Sequence, residues 1–409
     1  MKFRSQQLAN GLEIVAECDD QAHSTALGFF VKAGSRDEDD TVAGVSHFLE
    51  HMMFKGTPTR SADDVNREFD EMGAHYNAYT TEENTVYYAA VLPEQQAAAL
   101  ELLADMLRPS LRADDFDMEK KVIIEEIGMY EDQPPYCADE QCKADHFGSH
   151  PLGRSVLGTE QSITELTVEQ MRDYFERQYS ARNIVLAAAG HVDFEALVAQ
   201  TERATAHWND VTPQRQTESY RTTRGACRTM NKSSSTQQYV LLLSDGPAAD
   251  DDARYAAKIL ATVLGDDQGS RLYWELVDPG LAEHCSLSHY DYLDAGLMMT
   301  YLSCPPESAA DNLRRVQAVY AAVEASGIDD AELARAKSKI SSRVVLSSER
   351  PRGRLFTLGG NWLQRREYRT VRDDIDAVAA ITADDVADVL RRFPLTTSTI
   401  VTVGPLESL

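Results

Sequence analysis

His47, Glu50 and His51 stand together in HFLEHMMFKGT (47–57), and Gly56-Thr57-Pro58 supplies a stop signal at its end. Residues four apart on a helix share one face. The spacing therefore predicts a helix that presents both imidazoles to one point, as two ligands of a tetrahedral zinc require. Glu50 follows His47 by three and precedes His51 by one. From there its carboxylate can lean over the open side of a metal without ligating it, and accept a proton from water activated there. Two imidazoles do not hold a catalytic zinc; a third protein ligand is needed, with the fourth position left open. The stretch DDFDMEKKVIIEEIGMYED (114–132) reads as a helix and offers Glu119, Glu125, Glu126 and Glu131. Glu119 and Glu126 are seven apart and share a face, whereas Glu125 is turned about 100° from Glu126. Periodicity favours Glu119 or Glu126 and leaves the choice between them open.

These side chains need a scaffold, and the chain supplies one twice. The apolar runs STALGFFVKAG (24–34) and QQYVLLLSDG (237–246) predict a strand early in each half, with a helical stretch after each. Strand pairs follow in HYNAYTTEENTVYYAAVL (75–92) and CSLSHYDYLDAGLMMTYLSC (285–304), then amphipathic helices in EQQAAALELLADML (94–107) and AADNLRRVQAVYAAVEAS (309–326). LRADDFDMEKKVIIEEI (111–127) resembles GIDDAELARAKSKISSRV (327–344): both open on a turn with Asp cap candidates and continue as a charged amphipathic helix. Matching Lys120 with Lys337 puts Arg343 where the first half has Glu126. A repeat of about 200 residues is too long for a solenoid and points to a duplicated domain. The expected division is 1–212, a Pro-, Thr- and Arg-rich connector 213–228, and 229–409. The expected class is α+β: two homologous domains, each a mostly antiparallel mixed sheet with helices packed on one face.

Composition excludes other classes. A net charge of −26 opposes nucleic acid, whose phosphates need a basic footprint. No apolar run is long enough to span a membrane. MKFRSQQLANGLEIVAE at the start lacks the apolar core of a signal peptide and reads as a strand around an Asn-Gly turn, so a cytoplasmic location is expected. The six cysteines (18, 137, 142, 227, 285 and 304) include no CxxC pair and are expected to be reduced and buried. The glycines of TLGGN (357–361) follow no recognisable strand and do not read as a phosphate loop.

HFLEHMMFKGT, followed about 75 residues later by EKKVIIEEI, resembles the pitrilysin and mitochondrial-processing-peptidase family of zinc peptidases, whose His-x-x-Glu-His order defines the inverzincins. The likeness extends to GSRDEDD (34–40), NAYTTEENTVYY (77–88), HPLGRSVLGT (150–159), ARNIVLAAAGHVD (181–193) and GSRLYWEL (269–276), and so to nearly the whole chain. It implies His47, His51 and Glu126 as ligands of one Zn²⁺ per chain, in the first half only, and Glu50 as general base. Glu119 matches a further acidic residue that supports the site. Asn77, Ala78 and Tyr79 fall in the strand that pairs with an extended substrate. The implied activity is a metalloendopeptidase acting on peptides or unfolded segments, with basic peptides favoured by the acidic balance. The alternative is a structural or assembly subunit with little activity alone, since such relatives exist.

One departure stands out. Many relatives carry an Arg and a Tyr near a Gly-Leu-Ala-Tyr segment of the second half; here ELVDPGLAEHCS (275–286) puts Glu283 at the Tyr and Val277 or Asp278 near the Arg. Tyr290 and Tyr292 are the nearby alternatives. The family closes two chains around a chamber, so a homodimer is expected, or a heterodimer whose partner supplies the missing pair.

Overall fold

A computed structural model of the chain describes residues 1–215 and 225–409. They form two compact units, each discontinuous in sequence. Met1–Gly128, 154–215 and Leu346–Arg369 make the first; Met129–Gly153, 225–345 and Thr370–Leu409 make the second.

The first unit is built on β1 (Lys2–Gln7), β2 (Glu13–Cys18), β3 (Thr25–Val31), β4 (His75–Thr80), β5 (Thr85–Val91) and β6 (Ile184–Gly190), in the order β1-β2-β6-β3-β5-β4. β2 and β6 run parallel, and the other neighbours antiparallel. β3 is buried along its whole length. That is why STALGFFVKAG is continuously apolar where a strand with one wet face would alternate. Leu27, Phe29 and Val31 enter one core, Ala26 and Phe30 the other. The first core lies under the helices Val45–Met53, Gln96–Met106 and Ala113–Glu131, through Phe48, Leu49, Leu103 and Ile123 among others.

The opposite face is covered too. Leu355 and Leu358 of the Pro351–Arg365 helix pack on Phe30, Val86 and Tyr88. Gly359 of TLGGN permits this approach, because a Cβ there would lie 2.3 Å from the Phe30 ring. Arg354 pins the helix: its Nε donates to Glu17 Oε2 at 2.5 Å and its Nη2 to Glu17 Oε1 at 3.2 Å, and the Tyr368 hydroxyl donates to the same carboxylate at 3.0 Å. Helices on one face were the expectation; apolar residues on both faces of β3 require cover on both, and residues 346–369 provide the second cover.

The second unit contains β7 (Cys227–Asn231), β8 (Gln238–Asp245), β9 (His284–Asp291), β10 (Gly296–Cys304) and β11 (Thr399–Gly404), ordered β7-β11-β8-β10-β9. β7 and β11 pair in parallel, the rest antiparallel. Val240 and Leu242 face a core shared with the helices Arg254–Gly265 and Ala309–Ser326. Leu241 and Leu243 face a second, lined by Ala138 and Cys142 of the Pro134–Phe147 helix. Both units are thus α+β, with a Pro-initiated helix on the far face of each sheet.

The repeat extends to side-chain detail. Lys120 Nζ donates to the carbonyls of Thr164 (2.9 Å) and Leu166 (2.6 Å), at the end of the Glu160–Glu165 helix. Lys337 Nζ donates to Ala379 O (2.7 Å), at the end of the Val371–Ala380 helix. A cation on the free carbonyls of a helix C-terminus offsets both their lost hydrogen bonds and the dipole. Immediately after, Thr167 and Thr382 open the next helix with the same capping box.

Most of the connector 213–228 lies outside the described residues. At its near end Arg215 is hydrogen-bonded to Asp37, and at its far end β7 begins at Cys227. All six thiols are free; Cys142, Cys285 and Cys304 are buried as expected, but Cys227 is exposed, because it opens the edge strand β7. Among the described residues no helix is long and apolar enough to cross a membrane.

Candidate metal centre

The Val45–Met53 helix carries the two histidines. Its cap residue, Gly44, has φ +89° and sits so close to the Leu157 carbonyl that a Cβ would lie 2.5 Å from it, so no side chain caps the helix from that position. Glu38 does so from outside: its Oε2 accepts the Gly44 N–H and its Oε1 the Ser46 N–H, each at 2.7 Å. Burial pushes the Glu38 carboxyl up to about 7, against the pull of those bonds. Phe48, Leu49 and Met52 anchor the buried side of the helix.

The opposite side meets the Ala113–Glu131 helix. His47 Nε2 lies 3.9 Å from Glu126 Oε2, and His51 Nε2 lies 3.6 Å from the same oxygen. One ligand atom from each of these three residues falls within 4.8 Å of the others. Bonds of about 2.0–2.1 Å in a tetrahedron put ligand atoms roughly 3.3 Å apart, so the three donors fit a zinc ion after a small closure. Their chemistry suits it as well. Burial and the neighbouring His51 hold His47 down at about 3, so its imidazole stays neutral with a lone pair to give.

Glu119 serves the other ring. Its Oε1 is 2.9 Å from His51 Nδ1, and its Oε2 is 2.5 Å from Lys55 Nζ. This bond selects the tautomer with the proton on Nδ1 and leaves Nε2 free to ligate. Burial works against charge on His51, but the Glu119 bond and the carboxylates of Glu126, Glu119 and Glu50 raise its pKa overall. Burial opposes ionisation of Glu119 too, yet the bonds from His51 and Lys55 bring its pKa below the ordinary value. Periodicity left Glu119 and Glu126 equivalent; geometry separates them, Glu126 facing both Nε2 atoms and Glu119 standing behind His51.

Glu50 leans toward the edge of the sheet, where Thr80 Oγ1 donates to its Oε2 at 2.6 Å. Burial raises the Glu50 pKa, with the Thr80 bond pulling the other way. β4, the edge strand, sends Ala78 into the core, while Tyr79 packs against Phe356 of the far-face helix (5.9 Å). Asn77 and Tyr79 therefore point away from the zinc helix. What β4 offers a ligand at its open edge is backbone. The GSRDEDD segment locks the hairpin after it: Ser35 and Arg36 N–H groups donate to the Thr81 and Glu82 carbonyls at 3.3 and 2.8 Å, and Arg36 pairs with Glu83 at 2.6 Å. Arg215 completes the clamp on Asp37 and the Glu83 carbonyl. Gly34 is required, because a Cβ would lie 2.2 Å from Thr81 O.

The model described as insulinase (peptidase family M16) matches residues 13–160, and that of the M16 inactive domain matches residues 165–340. An uncharacterized zinc protease of Mycobacterium tuberculosis is 35% identical over 395 residues, spanning 95% of this chain and 90% of that one. The chain belongs to peptidase family M16. The M16 fold is shared with a protease from Helicobacter pylori (TM-score 0.92, 22% identity, 99% of each chain) and with a chain of Complex III2 from Candida albicans (TM-score 0.85, 18% identity, 99% of this chain and 96% of that one).

The half matched by the M16 inactive domain holds ion pairs where its partner half has donors. Arg343, opposite Glu126 in the repeat, binds Asp266, as does Lys339 at 2.6 Å. Among the described residues one cluster of three potential ligands occurs, and it is that of His47, His51 and Glu126. Of the alternatives to the Arg/Tyr pair, Tyr292 is buried against Phe147, whereas Tyr290 is exposed on β9. Lys55, Thr80 and Glu38 were missed in the sequence. Lys55, two residues past the end of the helix at Met53, is brought to Glu119 by the turn that follows; Thr80 and Glu38 depend on tertiary approach. The Glu119 arrangement carries a prediction. Glu119→Ala weakens zinc binding about 10- to 100-fold, the usual loss when a ligand's outer partner is removed, measured by chelator competition. Unchanged affinity would mean that His51 is oriented by something else.

Proposed function

We propose that this M16 chain is a zinc-dependent endopeptidase acting on peptides or unfolded protein segments. The observation that carries the reading is the convergence of His47, His51 and Glu126 on one point, with the Glu50 carboxylate in electrostatic reach of His51 and Glu126 and held by Thr80. Zinc held there supplies Lewis-acid chemistry, making water more acidic and polarising a peptide carbonyl. Glu50 takes the proton of the attacking water and returns it to the leaving amine. Glu119 and Lys55 keep His51 oriented. Asn77, Ala78 and Tyr79 present the open backbone edge of β4, to which an extended peptide can add as another strand. The net charge of −26 favours basic peptides. A second chain is part of this reading, either an identical copy or, as Glu283 in place of the expected Tyr favours, a different chain that supplies the missing pair.

The same fold in a Complex III2 chain keeps an assembly role in play, and one experiment separates the two. The purified chain is assayed on a quenched fluorescent basic peptide before and after chelation, then with zinc restored. The expected result is one zinc per chain, activity lost with the metal and recovered with it. A chain that purifies without stoichiometric zinc and cleaves nothing would favour the assembly role.

A further inference from the structure

We propose that Thr80 is a positioning residue for the base: its hydroxyl fixes the Glu50 carboxylate and ties it to the strand on which substrate would add. The inference rests on the hydrolytic reading above. A threonine hydroxyl has one proton to give, and here it goes to Glu50 Oε2 at 2.6 Å. A hydroxyl on a carboxylate is a charge-assisted bond, stronger than a neutral one. It occupies one carboxylate oxygen and leaves Oε1 for the proton transfer.

The hydroxyl itself is held from three sides. Thr is β-branched and stiff about χ1. Thr80 pairs across the hairpin with Thr85, whose own hydroxyl donates to Ala33 O at 2.9 Å, just beyond the end of β3. The turn that follows is closed by Thr81, which bonds the Asn84 carbonyl through both its N–H (2.8 Å) and its hydroxyl (3.1 Å), and then clamped by Arg36 and Arg215. Upstream, Tyr76 stacks on Phe69 at 3.9 Å and Ala78 is buried in the core. Thr80 is the third residue on that same alternating face. The strand and the base are therefore coupled through a single rigid contact: where the end of β4 goes, the Glu50 carboxylate goes.

The test compares wild type, Thr80→Val, Thr80→Ser and Glu50→Gln, all zinc-loaded, for kcat and KM on a quenched fluorescent peptide and for zinc affinity by chelator competition. Thr80→Val removes the proton donor and keeps the branched shape. The expected result is a kcat lower by about 10- to 100-fold, the size of a lost hydrogen bond to a charged group, with KM and zinc affinity within about twofold. Thr80→Ser restores kcat to within about threefold of wild type. If Thr80→Val does not fold by circular dichroism, Thr80→Ala is read in its place with the same expectation. Wild-type kcat in the variant lacking the hydroxyl, or a Thr80→Ser as damaged as Thr80→Val, overturns the role of Thr80 while Glu50→Gln stays inactive. A wild type that binds no stoichiometric zinc and cleaves nothing, or an active Glu50→Gln, overturns the hydrolytic reading and this inference with it.

Discussion

Glu50→Gln is expected to lower peptide hydrolysis by about 10²–10⁴-fold, the contribution of a positioned general base, with zinc content and fold unchanged. Glutamine keeps the length of the side chain and an oxygen that can accept the Thr80 hydroxyl, now 2.6 Å from Glu50 Oε2. It cannot accept a proton from water and pass it on. The candidate donors His47, His51 and Glu126 are untouched, so this variant is expected to bind as much zinc as the wild type. The informative quantity is the pair of readouts: metal per chain by elemental analysis, and kcat under saturating peptide. Loss of both would make Glu50 a structural residue whose removal collapses the site. Retention of both would sink the assignment of base.

The helix that carries His47, Glu50 and His51 was legible because its pattern is local. His47, Glu50 and His51 lie within five positions, and the helical period alone brings the imidazoles together. The third member of the cluster was half legible: the period put Glu119 and Glu126 on one face, but which of them meets both histidines depends on how the two helices cross. No local pattern encodes that. The fold class followed from apolar runs in both halves, and the repeat from Lys120 and Lys337, which turn out to hold the carbonyl end of matching helices. What escaped was the exchange of cover between distant segments. STALGFFVKAG signals two buried faces, yet nothing in it says that one face is covered by a helix beginning at Pro351. TLGGN carried the only hint, since a glycine inside a helix costs stability unless something must come close. The structure supplies that reason in the Phe30 ring.

That exchange sets the second large prediction. Arg354→Ala is expected to destabilise the first unit by about 3–5 kcal/mol, the cost of leaving one partner of a buried ion pair uncompensated. Arg354 and Glu17 are 4% and 3% exposed, and 337 positions separate them. Without the guanidinium, the Glu17 carboxylate keeps only the Tyr368 hydroxyl (3.0 Å), and the Arg369 carbonyl loses its donor at 2.9 Å. The far-face helix then keeps its apolar contacts on β3 and the bond from Trp362 Nε1 to Glu13 Oε2 at 2.5 Å. Hydrogen exchange is the suitable measurement, because a chain of two units need not unfold in one step. Protection is expected to fall first in Pro351–Arg365 and in β2 and β3, while β8 and β10 of the second unit keep theirs. Replacing both partners, Glu17→Met with Arg354→Met, recovers most of the loss, since a buried pair exchanged for apolar residues is often close to neutral. If Arg354→Ala costs less than about 1 kcal/mol, apolar packing and the Trp362 bond to Glu13 hold the helix without the ion pair. If the double variant is no better than the single one, the ion pair itself contributes net stability, beyond the penalty of breaking it.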